Sequence, residues 1–137
     1  MNEQGFFHFL TLAAPYVISP SNKYFYFNPD DMKPLINSEG HLRALEDYVK
    51  FLGNGPSEQI GWTLEQGWSP FLSGHAVMEP TWGDLPTLAQ NRAHSAVQGR
   101  VGATTIPGTS ESFNPLTSQW EKSMLNTVGN TNGGSWH

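Results

Sequence analysis

Trp82, Gly83 and Asp84 are the residues whose types and spacing best suit the holding of a small ligand. An indole face stacks on the apolar face of a sugar ring, and a nearby carboxylate accepts hydrogen bonds from the ring hydroxyls. The surrounding stretch, Phe71-Leu-Ser-Gly-His-Ala-Val-Met-Glu-Pro-Thr-Trp-Gly-Asp84, reads as a helix end followed by a short strand. Gly74 takes the left-handed conformation that closes the helix. Ala76, Val77 and Met78 make the apolar run of a buried strand, which breaks at Pro80 and delivers Trp82 and Asp84 to an edge. The same residues also suit a core tryptophan at a strand end and a helix-capping aspartate, since aromatic side chains mostly serve cores.

Five tryptophans, Trp62, Trp68, Trp82, Trp120 and Trp136, are a heavy load for 137 residues. Some belong to the core; the rest fit a binding site of stacking aromatics and glycine-rich loops. Gly133 and Gly134 let backbone approach a ligand closely, with Asn132 and Ser135 supplying hydrogen bonds. The histidines His8, His41, His75, His94 and His137 are dispersed, and none shares metal-ligand spacing with another His or a carboxylate. Ser73-Gly74 and Gly133-Gly-Ser135 lack a nucleophile-elbow pattern and an obvious base. Asp30-Asp31 reads as turn chemistry ahead of a metal site, and Gly99-Arg-Val-Gly102 is too short for a phosphate loop. The residues therefore suggest a protein that is not an enzyme and needs no cofactor or metal.

Composition narrows the partners. Net charge is −5, the pI is near 5.4 and the seven Lys and Arg are scattered, so nucleic acid is not an expected partner. Only 14% of residues are charged, against about a quarter in ordinary domains. With 37% hydrophobic residues, 14 Gly and 10 Pro, the chain is expected to be one loop-rich domain. Cysteine is absent, which excludes disulfides and thiol chemistry. Glu3 stands where a signal peptide carries Lys or Arg, and no apolar run nears membrane-spanning length, so as written the chain is expected to stay in the cytoplasm.

These residues need elements to position them. Residues 3–14 form a short apolar helix ending before Pro15. Tyr24-Phe-Tyr-Phe27 prefers a strand, Asn28-Pro-Asp-Asp31 is a turn, and Met32 to Ile36 return as the hairpin partner. Ser38 caps a helix to about Leu52, where Gly53-Asn-Gly-Pro56 stops it; Leu42, Leu45, Val49 and Leu52 share one face, and Glu46 and Lys50 pair outside. Residues 62–73 suit another helix, with Pro70 accommodated by a restart capped at Ser69. Asp84 caps a short helix through Gln90, Val101 to Ile106 form a strand, and residues 109–137 read as a polar, loop-rich tail.

The run Phe27-Asn-Pro-Asp-Asp-Met-Lys-Pro-Leu-Ile-Asn37 with His41-Leu-Arg-Ala-Leu-Glu-Asp-Tyr-Val49 resembles the middle of a family 1 extracellular solute-binding protein. These proteins capture substrate, usually sugars, for bacterial ABC importers. Phe71-Leu-Ser-Gly-His-Ala-Val-Met, Thr81-Trp-Gly-Asp84, Gly99-Arg-Val-Gly102, Ile106-Pro-Gly108 and Val128-Gly-Asn-Thr-Asn-Gly-Gly-Ser-Trp136 continue the resemblance in order, from about Phe6 onward. Pro70 and Pro80 depart from the family pattern.

The resemblance implies an α/β (α+β) fold: residues 1–137 as a single truncated lobe of a periplasmic-binding-protein-like fold, a short mixed sheet flanked by helices. It implies a carbohydrate-binding role, an ABC permease as partner of a full-length member, and a periplasmic or extracellular setting for the family. Carried over by position, Trp82 matches the stacking aromatic, Asp84 the polar contact, Gly133, Gly134 and Ser135 the closing loop, and Trp62 a further aromatic contact. The chain corresponds mostly to the second lobe of a longer protein, and half a cleft buries only part of a ligand, so weak or undetectable sugar binding is expected. Surface normally covered by the remaining parts is expected to be apolar and to drive homo-oligomer formation. A repurposed self-associating module without a ligand is the alternative expectation.

Overall fold

Gly40 sits where three elements meet so closely that no side chain fits. A Cβ there would lie 2.7 Å from Val17 Cγ1, 2.9 Å from Phe113 Cβ and 3.1 Å from the Tyr16 carbonyl oxygen. The elements are α1 (Gly5–Val17), α2 (Glu39–Leu52) and β1 (Thr109–Asn114). The computed structural model describes residues 5–126, with side chains to Lys122. It divides into two compact units: residues up to His8 with Pro56–Ile106, and Phe9–Gly55 with the residues from Pro107 onward.

In the second unit the core is Leu10, Ala13, Ala14, Val17, Phe25 and Ala44. Leu10, Ala13, Ala14 and Val17 recur at helical spacing on one face of α1, and the alanines keep that face shallow enough for close packing. The helix runs through Pro15 rather than ending before it. A proline in the last turn forfeits only a terminal helical bond, and the helix resumes with Ile18 N–H donating to the Ala14 carbonyl at 2.8 Å. Buried Asn22 then clasps the end of α1, its amide donating to the carbonyls of Val17 (2.6 Å) and Tyr24 (3.0 Å).

That clasp and Pro34, which has no N–H, reduce the expected hairpin over 24–36 to one antiparallel bridge, Phe27 to Pro34. The turn between them forms: Asn28 Oδ1 accepts from Asp30 N–H at 3.0 Å and Asp31 Oδ1 from Lys33 N–H at 3.1 Å. The Lys33 ammonium, 2.6 Å from Asp31, holds that carboxyl below its ordinary range, so Asp31 serves the turn.

Ser38 caps α2, accepting from His41 N–H. The buried face is Gly40, His41 and Ala44, not the expected Leu42, Leu45 and Val49, which are 58%, 48% and 61% exposed. The close approach at Gly40 decides which face turns inward. Lys50 pairs with Asp47 at 2.8 Å rather than with Glu46, and Gly53 ends the helix in ordinary right-handed geometry.

The sheet lies where a loop-rich tail was expected. β1 pairs antiparallel with β2 (Gln119–Asn126), and Phe113 faces Trp120 with ring centroids 5.4 Å apart. Their connection turns on Asn114, whose side-chain oxygen accepts from Leu116 N–H, and on Ser118 at φ 55°. Thr109 hydroxyl donates to the Pro15 carbonyl at 2.9 Å, tying β1 to the end of α1. Among the described residues this two-stranded antiparallel sheet is the whole sheet, so the architecture is α+β and the expected mixed sheet is corrected.

The first unit holds a 3₁₀ turn (Ser57–Gly61), α3 (Leu64–Leu72) and α4 (Asp84–Ala89). Thr63 and Gln66 form a capping box, and α3 runs straight through Pro70 without restarting at Ser69. Gly74, at φ 81°, closes it as expected, with Gly74 N–H donating to the Phe71 carbonyl and His75 N–H to that of Pro70. Residues 76–78 are not a strand. Val77 and Met78 are 91% and 83% exposed, and no described strand lies beside them to pair with. Residues 101–106 form no strand either and run as mostly exposed coil. No described helix is long and apolar enough to cross a membrane.

Ala is a better helix former than Gly by up to about 1 kcal/mol, so Gly40→Ala would stabilise an uncrowded α2. Against this backbone it is expected to destabilise by about 1–3 kcal/mol in chemical denaturation, since both crowding side chains are buried. A rise in stability would show that α2 does not approach α1 and β1 this closely.

Candidate functional site

The Trp82 edge is built by α3 and the loop that follows it. Trp68 is buried on α3, and its indole N–H donates to the Thr81 hydroxyl at 2.6 Å. His8 Nε2 donates to the Pro80 carbonyl at 2.9 Å, a second clamp one residue earlier. Trp82 itself packs edge-to-face on Phe7, with centroids 5.5 Å apart and planes at 74°. It is half-buried, and a T-shaped pair covers at most one indole face. Asp84 is exposed and is the first residue of α4; Gly83 occupies the cap position, so Asp84 does not cap as expected. Its carboxylate is left to the surface two residues after Trp82, where its charge also suits the helix N-terminus.

Glu79 is not among the residues expected from the sequence to touch ligand. Its carboxyl lies against α3, 3.8 Å from where a Cβ on Gly67 would stand, and burial pushes its pKa up to about 7. Near neutral pH such a group is divided between the charged acceptor and the neutral hydrogen-bond donor. The signal was present: Glu79 is the one charged residue between Glu65 and Asp84.

Of the remaining expected contacts, Trp62 is described and the C-terminal loop is not. Trp62 caps the 3₁₀ turn, its N–H donating to the Gln59 carbonyl at 3.2 Å, and Trp82's aromatic partner is Phe7 rather than Trp62. Asn132, Gly133, Gly134 and Ser135 lie outside the described residues. Of the histidines, His75 Nδ1 meets the Ser73 hydroxyl at 2.8 Å, and His41 is buried with Nδ1 on Ser38 Oγ at 2.9 Å. His41 Nε2 has no partner, and burial pulls its pKa below the ordinary value. Among the described residues no group of three or more His, Asp or Glu side chains is placed to hold a metal.

A concavity lies in the other unit, an open groove of about 620 Å³ lined by Tyr16, Glu39, Arg43, Glu46, Glu111 and Trp120, among others. Trp120 indole N–H donates to Glu39 at 3.1 Å, and the Tyr16 hydroxyl donates to Asp47. Burial, then the Asp47 carboxylate, pushes Tyr16 up to about 12. Asp47 is held below its ordinary range by Lys50 first and Tyr16 second. Among the described residues expected to touch ligand, Trp62, Trp82 and Asp84 are not part of its lining. No protein-family model, no curated protein and no solved structure matches the chain.

Because the fold favours neutral Glu79, stability of the first unit should be complete below pH 4.5 and should fall as pH rises through about 7. Amide exchange on α3 followed over that interval is expected to show the loss, and Glu79→Gln to flatten it. An unchanged slope in Glu79→Gln would mean that the carboxyl is well solvated.

Proposed function

We propose that this chain is a carbohydrate-binding segment of the solute-binding type, with Trp82 as its stacking surface. The observation that carries the reading is the fixed, half-buried indole: clamped before it by Trp68 to Thr81 and His8 to Pro80, and behind by Phe7, with exposed Asp84 two residues on. An aromatic held rigid before binding loses little freedom on contact, which favours weak ligands. In this reading the α+β fold is part of a periplasmic-binding-protein-like lobe, the setting of the longer protein is periplasmic or extracellular, and an ABC permease receives the ligand. The chain binds and does not catalyse. Trp62 and the Gly133-Gly134-Ser135 loop are further ligand contacts.

An open edge buries far less of a sugar than the 70–90% typical of good sites. Affinity on the order of 1 mM or weaker is therefore expected, about −4 kcal/mol. Tryptophan fluorescence titrated across a panel of mono- and disaccharides should show weak saturable quenching that Trp82→Ala abolishes and Trp120→Phe preserves. A response that persists in Trp82→Ala, or no response to any sugar, would sink the assignment. Micromolar affinity would contradict the open-edge argument.

A further inference from the structure

The exposed side of α2 is self-complementary, and we propose that it docks a second copy of this chain antiparallel across a two-fold axis. Glu39, Arg43, Glu46 and Lys50 follow one another at spacings of four, three and four, so they form one stripe along the helix. All four are exposed. Read backwards, the spacing is the same and every sign is reversed. An antiparallel copy therefore sets Glu39 against Lys50 and Arg43 against Glu46, and the two-fold repeats both pairs. A parallel copy would set like against like.

Beside that stripe run Leu42, Leu45 and Val49, the apolar residues that α2 leaves outside. Their three-then-four spacing is that of a two-helix seam. The axis that matches the charges falls between Ala44 and Leu45. It brings Leu45 next to its own copy and Leu42 to within about 3 Å, along the helix, of Val49. In an antiparallel pair the flank on one side of the seam meets the same flank of its copy, as the charged stripe requires. One patch used twice is an isologous contact, which closes as a dimer and leaves no open end.

Within a single chain the basic members of the stripe are poorly supplied. Arg43 and Lys50 share Asp47, at 3.6 Å and 2.8 Å, and Asp47 also accepts from Tyr16. A second copy offers each of them its own carboxylate. The contact does not involve Trp82, so it stands or falls separately from sugar binding.

Sedimentation equilibrium on the full chain over a wide concentration range tests this. A reversible dimer that weakens with added salt is expected. Arg43→Glu alone and Glu46→Arg alone should each weaken the dimer at least tenfold. The double variant Arg43→Glu with Glu46→Arg should restore it, because the stripe remains self-complementary with the inner pair exchanged. Leu45→Lys should give monomer with an unchanged circular dichroism spectrum, as Leu45 is outside the core. A monomer at every concentration, a dimer indifferent to the single reversals, or a double variant no better than the singles would each overturn the proposal.

Discussion

The contact at Gly40 governs the arrangement of the second unit. It brings the start of α2 against the end of α1 and against Phe113 of β1 at distances that only a hydrogen side chain permits. From that approach follow the inward turn of His41 and Ala44, the burial of Phe25 against the His41 ring at a centroid distance of 4.8 Å, and the outward turn of Leu42, Leu45 and Val49. The larger apolar side chains of α2 are outside because the helix lies too near its neighbours to seat them. Burying alanine and glycine instead of leucine gives a tight joint with modest apolar area, and leaves apolar surface to be covered some other way.

In the first unit, hydrogen bonds from ring nitrogens hold the loop that follows α3. Trp68 holds Thr81, His8 holds Pro80, and the closure of α3 at Gly74 sends the chain back with Val97 3.5 Å from where a Cβ at that glycine would stand. The result is an irregular loop with a fixed aromatic at its end, a common way to put recognition on a rigid scaffold. The two units carry opposite titrations. Glu79 favours acid in the first, while His41, buried without a partner for Nε2, favours the neutral imidazole in the second and loses stability as pH falls below the ordinary histidine value.

What the sequence revealed was local chemistry. Ser38 as a cap, Gly74 as a left-handed stop, and the turn over Asn28 to Asp31 depend on neighbours within a few residues, and they form. What failed depended on tertiary partners. The apolar spacing of Leu42, Leu45 and Val49 indicated a helix correctly but not which side is buried, since that is decided by Gly40 and by residues far off in sequence. Ala76 to Met78 has the composition of a strand and no strand to pair with. The hairpin over 109–126 was hidden because polar residues fill β1 between Thr109 and Ser112, leaving Phe113 and Trp120 as its only strong apolar pair. At the candidate site Trp82 and Asp84 were legible by type, whereas Glu79 matters through burial, which type alone does not reveal.

The most direct test of the account is a two-dimensional nitrogen–proton NMR titration of the full chain with sugar, following the indole N–H signals of the five tryptophans. Saturable movement of the Trp82 indole together with the Asp84 backbone amide is expected, while the Trp120 indole, bonded to Glu39 in the other unit, stays in place. Movement of Trp120 with Trp82 and Asp84 unmoved would place recognition in the groove beside α2 and contradict the assignment of the Trp82 edge.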